Sequence, residues 1–271
     1  MNEQHRLIVD ADHVSKRLLL VLVCFELLFV VLDIVINYFE VIQYSSIHEL
    51  FNIAREDGLA GWFMTSQTLL AALILWLIYG LSHHVDGGEV LDRRGWLLLA
   101  LFFTYMSADD GALIHERMGS MFEEMLEADK LDGSGTLAQW MAMFPSYEWQ
   151  FMLPFFVLMG LFMLCFLWRA LGSDKRSLLL VLVAFCSLAC AVLLDFIEGL
   201  PEEHAFNVYS WLKQAYLLES YTVDHFARSL EEFLEMLGIS LFLVVFVAQL
   251  KCMLPAEFVL CFSSSRAMPK V

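Results

Sequence analysis

LLLVLVCFELLFVVLDIVINYF, residues 18–39, is an apolar run interrupted by only two acids, Glu26 and Asp33. Its length matches the roughly 20 residues that carry a helix across a hydrocarbon core of about 30 Å. No water is available at that depth, so the segment must satisfy its own backbone groups, and a helix does so alone. The short alternating runs of a membrane barrel are absent. Comparable runs follow at about 60–82, 95–116, 149–170, 177–199 and 227–250. The expected fold is all-α: an integral membrane bundle of six transmembrane helices over residues 1–251. Outer loops are expected at 40–59, 118–148 and 200–224, and a cytoplasmic tail at 252–271.

Composition agrees. The 271 residues are 59% hydrophobic with a mean hydropathy of +0.66, too apolar for an ordinary soluble domain. Residues 1–17 are polar and mixed in charge, and no small-residue cleavage pattern follows the first run, which therefore reads as an anchor and not a signal peptide. Six spans put both termini on one side. That side carries eleven of the sixteen Lys and Arg, while Arg55, Arg117, Lys130, Lys213 and Arg228 fall on the other. The bias places both termini in the cytoplasm and the protein in a bacterial inner membrane, as a multi-pass protein. Of the 32 acids, 24 fall in the spans or on the outer side. A net charge of −16 concentrated there excludes nucleic acid as a partner and favours cations, with membrane lipid as the surrounding partner. The six cysteines lie in spans or in the tail, so no outer disulfide framework is expected; Cys186 and Cys190 read as small packing residues.

The acids within the runs carry the chemistry. At 1.5 Å per residue, Asp109 lies about 20 Å up the third run from Trp96, and Asp33 about 22 Å up the first from Leu18. Asp195 and Glu198 close the fifth run, and His225, Glu231, Glu232 and Glu235 open the sixth. All of them fall in the outer half. Asp109 and Glu116 share a helix face, whereas Asp110 and His115 point elsewhere unless Gly111 distorts the turn. Asp195 with Glu198, and Glu232 with Glu235, are i,i+3 neighbours. Paired carboxylates with a few histidines are the ligand set of carboxylate-bridged metal sites in helical bundles. Each ionised residue costs about 2.5–3.5 kcal/mol at mid-membrane, and only Arg117 and Arg228 lie in reach, so protons, metal cations or a water-filled vestibule must compensate.

The expected ligands are Asp109, His115, Glu116, Glu198, Glu232 and Glu235. Asp110, Asp195, His225, Glu231 and Asp33 stand as their hydrogen-bonded supports or alternatives. Carboxylate plus imidazole suits one or two divalent ions of iron, manganese or zinc. A plainer reading stands beside this one. Glu231 and Glu232 also suit the positive end of a helix, Glu26 and Asp33 can simply bond neighbouring helices, and His48, His83, His84 and His204 read as solvated loop residues.

The strings Ser107-Ala108-Asp109-Asp110…His115-Glu116 and Glu231-Glu232-Phe233-Leu234-Glu235-Met236-Leu237-Gly238 resemble a group of uncharacterised bacterial multi-pass proteins. In that group one helix reads S-x-D-E…H-E and the last reads E-E-x-x-E-x-x-G; Asp110 stands where Glu is expected. The resemblance implies a site and carries no established activity. Three functional classes stay open. The first is a metalloprotein in the outer leaflet, as an enzyme acting on an apolar or lipid substrate. The second is a cation or proton-coupled transporter using the same acids, and the third a non-catalytic subunit of a membrane complex or homo-oligomer.

Overall fold

The computed structural model describes residues 11–83, 90–115, 117–121, 124 and 153–254. Among the described residues the chain is helical and no strand occurs. Helix α1 (Ala11–Asp33) runs directly into a π-helical turn (Ile34–Tyr38), followed by the short α2 (Ser45–Phe51), α3 (Leu59–Ser82) and α4 (Val90–Ala112). Then come α5 (Leu153–Ala170), α6 (Lys175–Glu198), the surface helix α7 (Val208–Tyr216) and α8 (Ser220–Met253).

The starts of two helices follow from local chemistry. The Asp174 carboxylate accepts the backbone N–H groups of Arg176 at 3.0 Å and Ser177 at 3.3 Å, capping α6. These bonds, with the Ser177 hydroxyl as the largest influence, hold the Asp174 carboxyl below its ordinary range. Asn207 caps α7 by accepting from Ser210 N at 2.9 Å.

Helix α8 is the central pillar. It is buried continuously from Gly238 to Phe246 and packs against α6, α3 and α1, while α3 pairs along its length with α4. Phe103 of α4 stands edge-on to Phe242 at 5.9 Å and to Phe246 at 5.2 Å, and Phe185 of α6 closes on Phe242 at 5.2 Å. Gly238 permits this approach, because a Cβ there would sit 2.8 Å from Leu188 Cγ. Leu20 and Phe25 of α1, Leu69 and Leu73 of α3, and Leu158 and Leu161 of α5 point outward. Such surfaces suit lipid. Lipid is as apolar as leucine, so close packing and buried polar bonds hold the helices together.

Five helices among the described residues are long and apolar enough to cross a membrane, giving a multi-pass membrane protein. The expected run 95–116 is not one of them: α4 has 23 residues but carries Ser107, Asp109 and Asp110 near its end. It also stops at Ala112, where Leu113 takes a left-handed backbone (φ 54°), two residues beyond the Gly111 suspected of distorting the turn. The expected run 149–170 begins, in its described part, at Leu153. At 34 residues, α8 is about 51 Å long, far more than a hydrocarbon core needs. Cys186 and Cys190 are exposed on α6 and do not pack inside. Most of the 118–148 loop and all of the tail from 255 lie outside the described residues.

Candidate functional site

Two polar centres occupy the end of the bundle where α1, α4 and α6 finish and α8 begins. The first is built on Asp33, the last residue of α1 and fully buried. Its Oδ1 accepts from Asn37 Nδ2 at 2.9 Å and from Ile53 N at 3.3 Å, and its Oδ2 accepts from Ser229 Oγ at 2.9 Å. His225 Nε2 lies 3.1 Å from Oδ2, within ion-pair distance but off the line of a hydrogen bond. The π-helical turn widens the backbone just past Asp33, a distortion that recurs at functional sites. His48 joins the same network: Nδ1 lies 2.9 Å from Asn37 Oδ1, and Nε2 meets the Ile42 carbonyl. The expectation of a solvated His48 is therefore corrected, because α2 folds the loop back onto α1. Tyr221 donates to the Asn37 carbonyl at 3.0 Å. A cavity of about 240 Å³ opens among Asp33, Asn37, His48, Tyr221, His225 and Ser229.

The second centre is acidic. Glu232 feels the charges of Glu235, Glu231, Glu56 and Asp110; Glu235 feels those of Asp110, Asp195 and Glu56, with His115 opposing them. Acids from α4, α6, α8 and the loop before α3 thus converge, all half-buried. Thr68 donates to Asp110 Oδ2 at 3.2 Å. Asp109 is buried and occupied otherwise: Oδ1 accepts His115 N at 2.8 Å and Oδ2 lies 3.2 Å from His115 Nδ1. The break at Leu113 makes that loop possible, swinging His115 back over the end of α4. Outside the spans, the Tyr209 hydroxyl is pushed up to about 12, first by burial and then by the negative field of Glu231, Glu198, Asp195 and Asp224. It donates to the Leu194 carbonyl at 3.1 Å, which seats α7 against α6.

Of the expected ligands, Glu232 and Glu235 meet with Asp110, Asp195 and Glu231 in one electrostatic cluster. Glu198 is turned to Arg228, whose Nε lies 2.7 Å away and whose terminal nitrogen closes the pair. Asp33 and His225 belong to the neighbouring cavity, and Glu116 lies outside the described residues. Among the described residues, no group of three His, Cys, Asp or Glu side chains is placed to hold a metal ion.

Glu56 is the acid that sequence reasoning missed, because it falls in the connection 40–59 and not in an apolar run. The available signal was Gly61: a Cβ there would fall 2.1 Å from the Glu56 carbonyl oxygen, so glycine is what lets α3 begin against this loop. Gly61→Ala is expected to displace Glu56 and lower stability by about 1–3 kcal/mol, the usual cost of overpacking. Thermal unfolding in detergent checks it, and an unchanged midpoint would show that the loop yields freely.

Residues 17–250 match the model of a domain of unknown function, DUF8692, and the chain belongs to that family. No curated protein matches it, and no solved structure does.

Proposed function

We propose that this member of the DUF8692 family is a cation-handling carrier of the bacterial inner membrane, in which the acid cluster binds a cation in exchange for protons. One observation supports this above the others: Glu231, Glu232 and Glu235 lie within electrostatic reach of one another and of Asp110, Asp195 and Glu56, and the cationic influences on Asp110, Glu231 and Glu235 are His115 and Arg228. Arg228 is already committed to Glu198. So many carboxylates at membrane depth need protons or a cation for compensation. Because the two compete for the same oxygens, cation binding should expel protons. Addition of Na⁺, Mg²⁺ or Mn²⁺ to weakly buffered protein in detergent is expected to acidify the solution. Absence of proton release with every cation would defeat the reading.

A resident metal centre is the second reading. It is favoured by Asp109 holding the His115 ring, as carboxylates hold metal-ligating histidines elsewhere. Stoichiometric iron, manganese or zinc in the purified protein would favour it over exchange.

The cluster is assigned to the outer side, with both termini cytoplasmic and α4 completing a sixth span, because eleven of sixteen basic residues mark the opposite segments. A cysteine placed at the exposed Glu202 is expected to react with an impermeant thiol reagent in intact cells. Labelling only after lysis would invert the orientation.

A further inference from the structure

Deeper in the bundle, Glu26, Gln67 and Ser240 meet from α1, α3 and α8. Their exposures are 0%, 1% and 0%. Glu26 sits at the middle of the candidate span Val14–Tyr38. Gln67 Nε2 donates to Glu26 Oε1 at 3.1 Å and to Ser240 Oγ at 2.6 Å, and Ser240 Oγ donates to Glu26 Oε1 at 2.5 Å. Every donor in the triad is used, and all the bonding to the carboxyl falls on one oxygen. Two acceptors are left over, Glu26 Oε2 and Gln67 Oε1, both buried and without a hydrogen-bond partner. Buried acceptors are rarely orphaned.

Both belong to the side-chain pair already joined through Gln67 Nε2 and Glu26 Oε1. A carboxylic acid and a primary amide pair in a closed ring of two bonds, amide N–H to acid carbonyl and acid O–H to amide carbonyl. The first bond is present. We infer that Glu26 is a mid-membrane proton-binding site, taking H⁺ on Oε2 and donating it to Gln67 Oε1. The new bond is O–H, no other bond changes, and the carboxyl becomes neutral.

No ionised partner competes for the site. The groups that act on Glu26 are Ser240 and Gln67, both neutral. Along the packed helices the nearest acids are Asp33, seven residues on in α1, and Glu235, five residues before Ser240 in α8, while Cys24, two residues before Glu26, is exposed on the outside of α1; α3 contributes Gln67 and no acid near it. At 1.5 Å per residue those separations are about 10 Å and 8 Å, so the site lies beneath both outer centres. On its far side α8 continues as Leu241–Phe246, wholly buried and apolar. Toward the acid cluster a single apolar layer that includes Phe29, Val30, Met64 and Met236 intervenes, and away from it α8 forms a longer hydrophobic plug. Such a site would supply the carrier's coupling proton. It rests on the carrier reading for its purpose, and for its existence only on the triad.

Infrared difference spectra of the protein in nanodiscs, recorded between acidic and alkaline pH in H₂O and in D₂O, test it. The expected result is a protonated-carboxyl C=O band that fades reversibly on alkalinisation, shifts in D₂O and is missing in Glu26→Gln. Glu26→Gln should fold, since two amides form the same ring. Gln67→Leu, which leaves Glu26 in place, should move the band by removing its acceptor. No band lost in Glu26→Gln, or one insensitive to pH and D₂O, overturns the proposal, the first meaning an ionised Glu26 and the second a locked structural acid. Glu26→Gln that still releases protons on cation addition leaves the acid cluster reading intact. A Glu26 band in protein that releases none removes that reading and keeps this one.

Discussion

Asp33→Ala is expected to be the most destabilising single substitution at its end of the bundle, costing about 1–3 kcal/mol for each buried donor that loses its acceptor. The carboxylate gathers Asn37 and its own helix, Ile53 from the loop before α3, and Ser229 and His225 from α8. Alanine would leave Asn37 Nδ2 and Ile53 N without this acceptor and the Ser229 hydroxyl with only the His225 carbonyl. Asp33→Asn should cost less, because its carbonyl still accepts from part of the set, although its NH₂ would face donors. Unfolding midpoints of the two variants in one detergent check the order. Equal midpoints for wild type and Asp33→Ala would show that the α1, α2 and α8 ends are held by packing alone.

The second large effect is expected at the acid cluster. Glu232→Gln and Glu235→Gln each remove one charge and one potential ligand from a cluster whose members act together. Each is expected to weaken cation-induced proton release at least about tenfold in apparent affinity, equivalent to about 1.4 kcal/mol. The double variant should lose little more, since residues acting as one unit are not additive. If both singles bind as the wild type does, these glutamates are packing acids and the cation reading fails. Glu198→Gln is the instructive contrast: its carboxylate serves Arg228, so it should affect the seating of α8 against α6 more than cation affinity.

Helical character, membrane residence and the gathering of acids at one end of the bundle were legible in the chain before any contact was known. They depend on composition and on periods of a few residues, and the cost of charge in hydrocarbon acts on each residue separately. The positions of Glu232 and Glu235 on one face of α8 are of this kind. What each acid meets is of another kind. Glu26 reads as a lone acid in an apolar run, yet its partners stand 41 and 214 residues away. His48 looked solvated until α2 laid it on Asn37, Glu198 looked like a ligand until Arg228 took it, and Glu56 lay in a connecting loop until the fold brought it to the acids. The shape of α4 belongs here too, because its acids lowered its hydropathy and Leu113 ended it early. The rotation and depth of one helix against another are set by many small packing fits, such as Gly238 under Leu188, and no local pattern encodes that sum. Sequence alone decided that the carboxylates would gather at one end of the bundle; tertiary packing decided which became clamps and which stayed together as a cluster.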